Sequence, residues 1–95
     1  MVEEIPAWRA SELVGRGAQL VDVRERDEVA AGTHPDALCI PFSELDRRLD
    51  RLDRSRPVAL LCRSGNRSRQ AGEILDQRGF RRVVNLSGGI QSLVG

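Results

Sequence analysis

The run Val58-Ala59-Leu60-Leu61 is apolar at every position, and a helical pattern resumes a few residues beyond it. Four residues are too few for a helix, and a segment with no polar face must be covered on both sides. A strand of that kind belongs in the middle of a largely parallel sheet held between helices. The rest of the chain agrees, because short apolar runs alternate with helical patterns, the signature of an α/β domain. A length of 95 residues leaves room for one such unit and not for two, so residues 1–95 are expected to form a single domain.

The pattern predicts a short helix over Arg9 to Arg16 and a buried strand over Gln19 to Val23. A helical turn around Asp27 to Ala31 should stop at Gly32, and Leu38 to Ile40 should form a brief strand. Ser43 reads as a helix N-cap, with Leu45, Leu49 and Leu52 forming one narrow apolar stripe behind it. A further helix is expected over Ser68 to Arg78, capped by Gly79 and Phe80. A strand over Val83 to Leu86 and a helical tail over Ile90 to Val94 follow.

Composition narrows the chemistry. Every basic residue is Arg, so a Schiff-base lysine, a pyridoxal-phosphate attachment and a P-loop lysine are all ruled out within this chain. A net charge of +1, with two Phe, one Trp and no Tyr, argues against nucleic acid as a partner. Two cysteines and one histidine make neither a disulfide framework nor a structural zinc site. The single histidine, His34, has no nucleophile elbow near it and reads as a loop residue. No stretch resembles a targeting segment or a membrane span, and a cytoplasmic location is expected.

The informative segment is Cys62-Arg63-Ser64-Gly65-Asn66-Arg67-Ser68-Arg69. Its cysteine stands at the carboxyl end of a buried strand, where ligands bind in open α/β sheets. The helix that follows offers unpaired N–H groups and a partial positive charge. A tight loop through Gly65 and Asn66 can curl successive amides into a nest, and Arg63, Arg67 and Arg69 add full charges. These features favour the thiolate, the reactive form, and an anion docking on it. A lone cysteine is more often a small core residue. The coincidence of strand end, tight loop, helix start and cations favours a reactive sulfur instead.

Four stretches together resemble the single-domain rhodanese (thiosulfate sulfurtransferase) family. They are Leu20 to Glu25, Gly32 to Pro41, Cys62 to Ser68 and Asn85 to Ile90, in this order and spacing. The resemblance implies a rhodanese-like α/β fold, with about five mostly parallel strands flanked by helices on both faces. It implies that Cys62 accepts sulfur as a persulfide and that Arg63, Ser64, Gly65, Asn66, Arg67 and Ser68 form the cradle. The donor would be a small sulfur-bearing anion such as thiosulfate, and the acceptor cyanide, a small thiol or a protein thiol. Neither metal nor organic cofactor is implied. The alternative is a persulfide carrier or interaction module that turns over little free thiosulfate.

Loop length bears on the chemistry. The related cell-cycle dual-specificity phosphatases place five residues between cysteine and arginine, whereas only Arg63 to Asn66 separate Cys62 from Arg67 here. The resemblance therefore points to the smaller, sulfur-handling cradle, and no proton donor for a phosphatase stands in the loop. Asp22 and Arg24 fall on the same side of a strand end, where an ion pair or hydrogen bonds to a loop are expected. Cys39 reads as a buried core cysteine, and Trp8 as a lid over the core.

Overall fold

The computed structural model describes residues 1–93. Its strands are β1 (Val2–Pro6), β2 (Gln19–Asp22), β3 (Leu38–Cys39), β4 (Val58–Leu61) and β5 (Val83–Ser87). They form one sheet in the order β1-β5-β4-β2-β3, parallel at every pairing. β4 is central and buried at all four positions, as its apolar run requires. The helices are α1 (Ala10–Gly15), α2 (Arg26–Ala30) and α3 (Asn66–Gln77). Among the described residues, no helix is long and apolar enough to cross a membrane.

Alternation along β4 divides the core between the two faces of the sheet. Val58, Leu60 and Cys62 pack with Ala71 and Leu75 of α3, and with Leu45, Leu49 and Leu52. Ala59 and Leu61 pack on the other side with Ile5, Ala7, Ala10 and Leu13, around α1. Helices thus cover both faces. Leu60, Leu61 and Leu75 are fully buried, each worth roughly 1.5–3 kcal/mol relative to an exposed side chain.

Five expectations change. β1 completes the five strands but gives little sequence signal, because Glu3 and Glu4 on this edge strand are exposed. The segment after Pro41 forms two 3-10 turns, Phe42–Arg47 and Leu49–Arg51, rather than an α-helix. Ser43 is not its cap; the Ser43 hydroxyl donates to Glu25 Oε1 at 2.9 Å instead. Trp8 is 73% exposed and is no lid, because Ala7 and Ala10 take the inward positions of that turn. The tail is a 3-10 turn over Ile90–Leu93, and Val94 lies outside the described residues.

The chain order creates a switch point. From β2 the connection runs outward through α2 to β3, whereas from β4 it runs the other way through α3 to β5. Cys62 leaves the sheet at this crevice, beside Val23, whose amide donates to the Leu61 carbonyl at 2.9 Å.

Candidate active site

Cys62 follows the last residue of β4 and is 1% exposed. The chain turns inside four residues because Gly65 adopts φ +104°, a left-handed conformation costly for any residue with a Cβ. That turn brings the Gly65 amide to 3.0 Å from the Cys62 sulfur. The first turn of α3 brings the Ser68 amide to 3.4 Å and the Ser68 hydroxyl to 3.2 Å. α3 starts at Asn66, two residues earlier than the sequence predicts, so its unpaired N-terminal amides belong to the loop itself.

Burial of Cys62 opposes ionisation. The Ser68 hydroxyl and the amides of Ser68, Gly65 and Ser64 outweigh it, and together hold the thiol below its ordinary value. Hydrogen bonds rather than arginines therefore do most to favour the thiolate. Arg67 is turned to Glu28 of α2, with Nη1 and Nη2 at 2.7 and 2.8 Å from the two carboxylate oxygens. That fork, with the Glu25 backbone, lowers the Glu28 carboxyl to about 2. Arg69 pairs with Glu4 of β1 at 3.1 Å. Arg63 is exposed and forms no ion pair among the described residues.

The loop is braced from behind by a turn that lies outside the cysteine motif. The Ile90 amide donates to the Cys62 carbonyl at 2.8 Å, and the Gln91 amide to the Arg63 carbonyl at 3.0 Å. Gly89 makes this contact possible, since a Cβ there would lie 2.5 Å from both carbonyl oxygens. With the carbonyls drawn outward, the amides are left facing the sulfur. Asn85 of β5 also reaches the loop, donating to the Gly65 carbonyl at 3.1 Å. The signal for both lay in the stretch Asn85 to Ile90, which carried the resemblance without carrying a role.

The remaining residues fall outside this cluster. Arg24 binds Asp22 at 2.8 Å and the Gly32 carbonyl at 2.7 Å, and Thr33 donates to Asp22 at 2.6 Å. The expected ion pair therefore staples the loop at Gly32 to the end of β2. A hollow of about 410 Å³ opens between this loop and the tail, lined by Arg24, Thr33, His34, Ile90 and Leu93 among others. His34 engages Ser11 and the Asp36 amide. Cys39 is half-buried on an edge strand rather than in the core. Burial, with Asp22 adding to it, pushes its thiol up.

A family profile described as "Rhodanese-like domain" matches residues 6–95. The chain is 41% identical over 92 residues to a sulfurtransferase of Allochromatium vinosum, covering 95% of this chain and 86% of that one. It is 34% identical over 87 residues to the thiosulfate sulfurtransferase GlpE of Actinobacillus pleuropneumoniae, covering 90% and 81%. A putative sulfur carrier protein of Bacillus subtilis, YrkF, is 30% identical over 76 residues; the match covers 80% of this chain but only 41% of that protein. The solved structure of the human single-domain sulfurtransferase TSTD1 superposes with a TM-score of 0.81 at 27% identity, covering 95% and 94%.

Proposed function

The chain belongs to the rhodanese-like family, and from that premise we propose that it moves sulfane sulfur through a persulfide on Cys62. The thiolate attacks the outer sulfur of thiosulfate or of a persulfide donor. With thiosulfate, the new S–S bond forms as the donor's S–S bond breaks, and sulfite leaves with the electron pair. A cyanide ion or thiolate then attacks the terminal sulfur. Thiocyanate or a new persulfide departs, and the Cys62 thiolate is restored. No proton donor is needed in either half, because every leaving group departs as a stable anion.

The observation that carries this reading is the ring of donors at 3.0–3.4 Å around the Cys62 sulfur. The Gly65 and Ser68 amides of that ring, with the other loop amides from Ser64 to Arg67, suit the negative charge of a terminal sulfur. Arg63, free of any described ion pair, is the cation best placed to attract a dianionic donor, while Arg67 serves first as a clamp through Glu28.

The test is direct. Treated with thiosulfate, the protein should gain the mass of one sulfur atom on the peptide bearing Cys62, and cyanide should discharge it as thiocyanate. Loading of a Cys62→Ser variant would sink the assignment. The relationship to a putative sulfur carrier favours one second reading, a relay that hands its sulfur to a protein thiol. Stoichiometric loading without steady turnover of free thiosulfate would select it.

A further inference from the structure

Ser68 carries one hydroxyl proton and stands between two acceptors. Its oxygen lies 3.2 Å from the Cys62 sulfur and within hydrogen-bond reach of Asn85 Oδ1. Ser68 and Asn85 are both fully buried. The Asn85 amide cannot be turned round. Its Nδ2 donates to Glu4 Oε1 at 2.9 Å and to the Gly65 carbonyl at 3.1 Å, and a flipped amide would set oxygen against two acceptors. Oδ1 therefore faces Ser68.

With a neutral thiol, this chain of groups closes. The S–H donates to Ser68, and Ser68 donates to Asn85. Once Cys62 is ionised, it only accepts, and the single Ser68 proton has two claimants. If the proton stays with Asn85, an oxygen lone pair faces the thiolate. If it turns to sulfur, Oδ1 is left buried without a donor. Either arrangement raises the cost of ionisation, against the pull of the loop amides.

We propose that Asn85 is a positioning residue, whose carbonyl competes with the Cys62 thiolate for the Ser68 proton. It thereby sets how much of that hydrogen bond the nucleophile receives. The arrangement suits sulfur transfer. A thiolate held too firmly is a weaker nucleophile. Here, as the sulfur forms its new bond and loses charge, the proton returns to a waiting carbonyl, so the hydrogen bond given up by sulfur is regained within the site.

The inference rests on the thiolate chemistry proposed above, but its test uses no sulfur donor, so the two readings fail separately. The charged groups around the cluster are Arg63 on the loop, Arg67 with Glu28 of α2, and Arg69 with Glu4 of β1. Asp22 with Arg24 lies at the end of β2. A double-mutant cycle separates their influence from that of Ser68. The pH midpoint of iodoacetamide alkylation, read on the Cys62 peptide, is compared in the wild type, Asn85→Leu, Ser68→Ala and the double variant. Loss of the Nδ2 bonds acts in both backgrounds and cancels. The remaining effect of Asn85→Leu, carried by Ser68, should lower the midpoint by about one pH unit, a tenfold change in the thiol–thiolate ratio. An effect equal in the two backgrounds, or a rise, overturns the proposal.

A second measurement needs no Asn85 variant. The Asn85 side-chain carbonyl ¹³C resonance of the wild-type protein should titrate with the Cys62 midpoint, and should cease to do so in Ser68→Ala. A resonance that stays constant across the Cys62 titration, or one that titrates equally in Ser68→Ala, overturns the proposal as well.

Discussion

Arg67 and Glu28 are locked in a two-pronged pair at 2.7 and 2.8 Å, joining the first turn of α3, which follows the cysteine loop, to the first turn of α2. The arginine that the motif places beside the sulfur is thus committed to a carboxylate drawn from a different part of the chain. Its first duty is to hold the loop's outer wall in place.

That pair predicts an acid-sensitive component of stability. The Glu28 carboxyl is held at about 2, below its unfolded value. Its contribution is therefore complete above the unfolded value and is lost as pH falls from roughly 4.5 towards 2. Glu28→Gln keeps a side chain suited to its place in the capping box of α2. Urea denaturation near pH 6 should show the variant weakened by about 0.5–1 kcal/mol, the modest figure proper to a partly exposed pair. The gap to wild type should close near pH 2. A constant gap would show that the loss is not electrostatic.

The two cysteines should separate by reactivity. The thiol of Cys62 is lowered and that of Cys39 raised. Site-resolved alkylation should give Cys62 a half-maximal rate below the ordinary thiol value of about 8.5, with Cys39 above it. Equal profiles would contradict the donor ring around Cys62.

Gly89→Ala should damage the site more than the fold. Its Cβ would overlap the carbonyl oxygens of Cys62 and Arg63 at 2.5 Å, on a residue with φ +58°. Relief requires those carbonyls to move, and the amides with them. We expect a stability loss of about 1–3 kcal/mol together with at least roughly a tenfold fall in sulfur loading, since misplacement of this order can cost about a hundredfold. Loading at the wild-type rate would mean that the turn does not brace the loop.

Asp22→Asn tests the staple at the end of β2. Asp22 is fully buried and Arg24 is 7% exposed. Removing one charge of a buried pair strands the other, at a cost of about 3–5 kcal/mol. The midpoint of thermal unfolding should drop sharply, whereas a change within a degree would show that the pair is dispensable.

The sequence was most legible where one local signal sufficed. β4 was evident from four apolar residues, and the cysteine loop from a strand end meeting a helix start. Leu45, Leu49 and Leu52 truly point inward, but their spacing recorded burial and not the hydrogen-bond pattern, which is 3-10. Ser43 could not be read correctly because its partner, Glu25, comes from another loop. β1 was masked by Glu3 and Glu4, which pair with Arg82 and Arg69 from distant segments. The site divides in the same way. Residues 62 to 68 were visible together, whereas Glu28, Asn85 and Gly89 meet them only after the sheet is assembled.

The bonds from Ile90 and Gln91 tie down the two carbonyls behind the sulfur from within the fold itself. A receptor whose backbone is set in advance loses little ordering entropy at the moment of capture. Under the function proposed above, selectivity then rests on bulk and charge: a compact anionic atom meets converging peptide dipoles, while an uncharged compound of the same size gains almost nothing from them.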